Sequence, residues 1–271
     1  MAKRRYELTE TRIAKLQKEG RGEGIGPDYQ PWIRIHDFSS NGRVHRRYSQ
    51  KVRRIVQLLS DIEEDIFLKF DASDLVVDIR EQFPLPRADT LRIAELHGTR
   101  HPCVKGVVAV MSTDFVIDLP GPRRIAIAVK SGDELAKRRV CEKLDIERSY
   151  WLERGHEWHL VVDDAVSHDE RLHLQQTAEW ASLDLLEGVE GWAGRGQDLM
   201  LEIFAAAPRE RLLDVLRRVE ERCGWEAGDA LALAKHLLAI RSLIFIGDGR
   251  LDVFGPVEQL DRREASDVLA A

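Results

Sequence analysis

Residues 111–130, MSTDFVIDLPGPRRIAIAVK, carry two alternating apolar runs on either side of a Leu-Pro-Gly-Pro step. DFVID (114–118) and RIAIAV (124–129) read as strands, because apolar residues recur at every second position. The Pro-Gly step between them turns the chain back on itself. A hairpin built this way sets the start of the first strand beside the end of the second, so Asp114 and Lys130 meet at one end of a sheet. Two positions before the lysine stands Ala128, which brings no polar side chain to that edge. By spacing alone, an ordinary Asp/Lys ion pair at a sheet end accounts for this arrangement better than a reactive site does.

Working outward, LVVDI (75–79) and EWHLVVD (157–163) read as further strands. A charged helix from about Asp133 to Arg154 precedes the second of them, and QLLSDIEEDIFLKF (57–70) has helical periodicity. The span 81–111 reads as a long irregular crossing. Strand, strand, helix, strand with a preceding helix outlines an α/β core on a mixed sheet. Towards the start, Thr9–Glu19 predicts a helix stopped by Gly20, and WIRIHDF (32–38) alternates like a strand. Between them GRGEGIGPDYQPW (20–32) reads as a flexible connector, with close backbone approach to DNA beside Arg21 as the alternative. Its glycines miss the GxGxxG spacing of a nucleotide loop.

Beyond about residue 168 the pattern is mostly helical. LHLQQTAEWASL is one helix, PRERLLDVLRRVEERC another that opens on Pro208 and is closed by Gly224, and GDALALAKHLLAIRSL a third. The tail LIFIGDGRLDVFG reads as strand, turn, strand. Two helices at a short turn followed by a hairpin outline a winged helix. The expected division is therefore 1–166, an α/β catalytic domain with a basic front, and 167–271, a winged-helix-like domain for DNA or partner binding. A length of 271 residues accommodates both cores.

No apolar run approaches the roughly 18 residues of a membrane span, so a cytoplasmic protein with no membrane partner is expected. Cys103, Cys141 and Cys223 are odd in number and widely spaced, which suggests neither a disulfide framework nor a zinc site. The net charge of −6 is unevenly distributed: residues 1–57 hold fourteen Lys and Arg against six Asp and Glu. Arg43, Arg46, Arg47, Lys51 and Arg53 form a basic run suited to a phosphate backbone, or to an ordinary solvated face.

On a helical wheel of roughly 100° per residue, Glu63 falls between Leu59 and Phe67 while Glu64 points away. A carboxylate inside an apolar sector needs a cation, a metal or a neutralising proton. A salt bridge to a nearby arginine satisfies that need; so does a metal site. Two carboxylates that hold Mg2+ and a lysine that orients a water are the parts needed to hydrolyse a phosphodiester.

KEGRGEGIGPDYQPW, SSNGRVHRRYSQK, LLSDIEEDIFL, DIREQFPL, HPCVKGV, VMSTDFVID, IAIAVK and EKLDIERSYWLERGHEW, in this order over about residues 10–165, resemble the TnsA family, endonuclease subunits of heteromeric transposases. The resemblance implies a restriction-endonuclease-like PD-(D/E)xK core with a C-terminal winged-helix domain. It implies cleavage of the 5′, non-transferred strands at transposon ends with Mg2+, two ions, Mn2+ substituting. It makes Glu63 and Asp114 acidic metal ligands, Lys130 the catalytic lysine and the Val129 main-chain carbonyl a further ligand. The implied partners are transposon-end DNA, a TnsB-like DDE transposase subunit and a TnsC-like ATP-dependent regulator, in a bacterial cytoplasm at the nucleoid. Ala128 departs from the pattern, which often has Glu or Gln there, so a weak resting metal site completed by DNA phosphate is expected. The alternative is a non-catalytic assembly subunit. Arg80, Glu81 and Gln82 match the family and are expected to be structural or DNA-proximal.

Overall fold

Residues 8–37, 43–163, 165–178, 180, 192–240, 242–246 and 251–262 are described by the computed structural model. They fall into two units, Met1–Ala165 and Val166–Ala271. In the first, α1 (Glu10–Lys18) is capped by the Thr9 hydroxyl, which accepts from the Arg12 N–H. A hairpin of β1 (His45–Ser49) and β2 (Arg54–Leu58) leads into α2 (Asp61–Asp71). Then come β3 (Asp78–Pro84), α3 (Arg87–Leu96), the short ribbon of β4 (Cys103–Val104) and β5 (Val107–Val108), and β6 (Ser112–Asp118). The unit ends with β7 (Arg124–Val129), α4 (Gly132–Leu135), α5 (Arg138–Leu152) and β8 (Glu157–Val161).

The central sheet has the order β3-β6-β7-β8, antiparallel except for the parallel pair β7–β8. It is the mixed sheet the sequence predicts. The β6–β7 hairpin pairs Phe115 with Ile127 and Asp118 with Arg124 across the Pro-Gly turn. Parallel β8 requires a crossover, which α5 supplies. α3 and α5 bury Ile93, Ile146, Tyr150 and Trp151 against Val116 and Ala126 of the sheet. Phe115, Ile117 and Ile127 are buried as well, so the strands are covered on both faces and read as near-continuous apolar runs.

Several sequence expectations are corrected. The periodicity of 57–70 merges two elements: Gln57 and Leu58 belong to β2, and the helix starts only at Asp61, where the Ser60 hydroxyl accepts from the Glu63 N–H. The β1–β2 hairpin, hidden in a run of arginines, was not expected. β3 begins at Asp78 rather than at 75, so Arg80, Glu81 and Gln82 lie within the strand. The span 81–111 is not irregular but holds α3 and the β4–β5 ribbon. The helix expected over 133–154 is two, α4 and α5.

Residues 20–32 form a fixed loop instead of a flexible connector. A Cβ at Gly22 would stand 2.1 Å from Pro84 Cγ, and one at Gly24 would stand 2.4 Å from the Asp28 carbonyl oxygen. Only glycine allows so close an approach, and both residues have positive φ. Arg21 is buried, its guanidinium donating to Asp37 Oδ2 at 2.7 Å, so it is not available to DNA. Residues 32–37 of the expected strand instead end in a 3-10 turn, Ile35–Asp37, held by Asp37 accepting from the Arg34 N–H. Phe38 lies outside the described residues.

The second unit holds α6 (His168–Ala178), α7 (Trp192–Ala205), α8 (Leu212–Cys223), α9 (Asp229–Ala239), β9 (Leu243–Phe245) and β10 (Leu260–Arg262). Leu199, Leu216, Leu233, Leu238 and Leu260 share its core. Pro208 does not open α8, because Arg211 bridges to Pro256 and the helix starts after it. β9 pairs with β10 rather than with LDVFG. Residues 181–191 and 247–250, which include parts of an expected helix and turn, lie outside the described residues. Among the described residues no helix is long and apolar enough to cross a membrane.

Candidate active site

The hairpin brings Asp114 and Lys130 together. Lys130 Nζ donates to Asp114 Oδ2 at 2.9 Å and to the Val129 carbonyl at 2.6 Å, while the Val129 N–H donates to the same carboxylate oxygen at 2.7 Å. Lys130 is fixed from the other side as well, its N–H donating to the Val161 carbonyl of β8 at 3.0 Å. Burial works against a charged lysine, but the Asp114 carboxylate outweighs it and holds the ammonium above its usual pKa. The lysine is therefore a fixed cation and hydrogen-bond donor.

Glu63 reaches this cluster from the first turn of α2. SDIE (60–63) is a capping box whose glutamate accepts from the Leu59 N–H at 2.9 Å, one residue before the cap. The carboxyl is buried and lies within the field of Asp114 and Lys130; burial, then the charge of Asp114, push it up to about 8. The wheel's placing of Glu64 away from the packed side is corrected: Glu64 is also buried, because β1 covers its side of the helix, with Arg47 Nε at 2.6 Å and His45 Nδ1 at 3.2 Å.

A third carboxyl was missed. Glu147 of α5 is buried, accepts from Trp158 Nε1 at 3.3 Å, lies near the Thr113 hydroxyl, and is pushed up to about 7 by burial and then by Asp114. The Thr113 hydroxyl in turn accepts from Trp151 Nε1 at 2.8 Å. One signal for Glu147 was available: in the charged helix it sits next to Ile146 and four residues before Trp151, among side chains that face the sheet.

Asp114 thus bonds the ammonium while Glu63 and Glu147 lie within its electrostatic reach, and these two are driven towards their neutral forms. Their neighbourhood is short of positive charge. All the donors, including the Val129 carbonyl, are hard oxygens suited to Mg2+ or Mn2+. The Lys130 ammonium is bonded to both Asp114 Oδ2 and the Val129 carbonyl. Among the described residues no three His, Cys, Asp or Glu side chains gather closely enough to hold a metal by themselves. A cation here needs main-chain, water or phosphate oxygens in addition.

The basic run divides. Arg47 is tied to Glu64, and Arg43 donates to Asp61 at 3.1 Å. Arg46 and Arg53 are exposed, Arg53 with a positive φ at the end of the hairpin turn, and Lys51 lies half-buried in the same turn. His101 bonds Thr90 and the Pro102 carbonyl, as a packing histidine.

The family profile described as TnsA-like endonuclease N terminal matches residues 73–163, which contain Asp114, Lys130 and Glu147. Over 241 residues the chain is 36% identical to the transposon Tn7 transposition protein TnsA of Escherichia coli, covering 88% of this chain and 87% of that protein. With an all-oxygen site at the end of a mixed sheet, and a relative aligned across nearly the whole sequence, the chain belongs to the TnsA family and is a DNA endonuclease of transposition.

Proposed function

We propose that the protein cuts the 5′, non-transferred strands at transposon ends, with Glu63, Asp114 and Lys130 as its reactive group. The observation that carries this reading is the bond of Lys130 Nζ to both Asp114 Oδ2 and the Val129 carbonyl beside the buried Glu63. A TnsA-like endonuclease works with a divalent cation. We assign Mg2+ to Glu63, Asp114 and the Val129 carbonyl; when bound it polarises the scissile phosphate and lowers the pKa of water. Lys130, kept protonated by Asp114, donates to the attacking water or to a phosphate oxygen and opposes the charge that develops there. Ala128 brings no side-chain oxygen, so a cation held by Glu63, Asp114 and the Val129 carbonyl would draw its remaining donors from water or DNA phosphate.

Glu147 supports the same reading as a buried acid whose charge state depends on what neutralises Asp114 and its surroundings. Arg46, Arg53 and Lys51 on the β1–β2 hairpin are proposed phosphate contacts. The hairpin leads directly into the helix that carries Glu63. Arg43 and Arg47, already engaged with α2 carboxylates, contribute less. Residues 167–271 are proposed as a winged-helix-like module, supported by α8, α9 and the β9–β10 pair, that docks a TnsC-like regulator. A TnsB-like DDE transposase cuts and joins the 3′ ends.

The test is a reconstituted transposition reaction with Asp114→Ala. Loss of 5′-end cleavage with complex assembly retained is expected. Unchanged cleavage refutes the assignment.

A further inference from the structure

We propose that Gln82 is a positioning residue of the endonuclease site, fixing the Asp114 carboxylate from β3. The inference rests on the site reading above and extends it to a residue that neither the hairpin nor the apolar pattern singles out. The β3–β6 pairs run Glu81–Phe115 and Phe83–Thr113, which leaves Gln82 across from Asp114 between them. On the other side of Asp114, continuing the Phe115–Ile127 pair sets Ala128 across from it on β7. Asp114 therefore has an amide residue on one neighbouring strand and a methyl group on the other.

Gln82 is built into its place. It is 2% exposed, and its Nε2 donates to Asp114 Oδ1 at 3.4 Å while its Oε1 accepts from the Ser112 hydroxyl at 3.2 Å. The Ser112 bond sets which way the amide points. Asp114 Oδ2 is taken by Val129 and Lys130, so Gln82 is the polar side chain that addresses the remaining carboxylate oxygen. Its φ is +49° in the middle of a strand. A non-glycine residue in the left-handed region costs free energy and persists only where its surroundings over-determine it. Its carbonyl is also engaged, accepting from the Trp32 N–H at 3.2 Å. Arg80 and Glu81, its neighbours, serve the fold instead: Arg80 pairs with Asp118, and Glu81 with Arg54.

Hydrogen-bond partners of metal-binding groups set ligand orientation, and their removal typically weakens metal affinity about 10- to 100-fold. Q82G is the informative variant, because glycine adopts φ +49° without strain and keeps the Trp32 contact. The full chain is titrated with Mn2+, following the free-ion electron paramagnetic resonance signal into the millimolar range. In parallel, 5′-end cleavage is titrated with Mg2+ in the reconstituted reaction. Q82G is expected to fold with a wild-type circular dichroism spectrum, to bind Mn2+ about tenfold more weakly, and to need about tenfold more Mg2+ for half-maximal cleavage. Q82N, which keeps an amide and tolerates the left-handed region, is expected to fall between Q82G and the wild type. Wild-type Mn2+ binding and Mg2+ midpoint in Q82G, with both lost in D114A, overturn the proposal and leave the site reading standing. Wild-type behaviour in D114A as well overturns the site reading first.

Discussion

Two acid–base pairs lie in the same unit, one buried and one only half-buried, and they are opposites. Arg54 and Glu81 satisfy each other completely: the guanidinium bonds both carboxylate oxygens at 2.8 and 2.6 Å and donates to two carbonyls, while the Gln57 N–H completes Glu81. Asp114 and Lys130 are also bonded, but Glu63 and Glu147 add two more acids to the same neighbourhood and both are pushed towards neutrality. A closed pair holds a fold together. The second cluster carries surplus acid, and that imbalance sets it apart from the closed pair.

The comparison breaks most sharply at the two pairs themselves. K130A and D114A are expected to reduce 5′-end cleavage to background in the reconstituted reaction while leaving the circular dichroism and urea midpoint near wild type. E81A should do the reverse, because it strands the buried Arg54 charge: urea unfolding is expected to show a loss of about 3–5 kcal/mol. If E81A is stable and inactive, the assignment of the two pairs is wrong.

A smaller effect concerns pH. The unfolded chain releases the Glu63 and Glu147 protons through the ordinary carboxylate range near 4.5, whereas the fold keeps them up to about 8 and about 7. Between these values the folded state binds more protons, so its stability falls as pH rises and is fully present only below the ordinary range. The metal-free protein should lose Tm from pH 5 to pH 8, and E63Q with E147Q should flatten that slope. A wild-type slope in the double variant rules out these two groups as its source. The smallest effect is on the surface: R46A and R53A should each lower the salt dependence of DNA binding by about one unit of slope, with R43A and R47A changing it less.

Legibility in the sequence followed the range of the forces involved. The β6–β7 hairpin was readable because alternation and a Pro-Gly turn are local, and it carried Asp114 and Lys130 with it. The helix expected at 57–70 was only half right, since Leu58 is apolar in a strand for the same reason it would be in a helix, and the Ser60 cap that separates them is a single hydroxyl. The loop at 20–32 looked flexible by composition. Its glycines instead serve contacts with Pro84 and Asp28, the first of them more than sixty residues away in the chain.

The family resemblance, the mixed sheet and the acid–lysine edge were legible along the chain, because strand periodicity and turn chemistry act over a few residues and the motifs are contiguous. Packing alone revealed that Glu64 is a staple, that Glu147 joins the acids, and that Gln82 reaches Asp114. Those are matters of which charges share one desolvated space, and strands and helices distant in sequence create that space only when they pack.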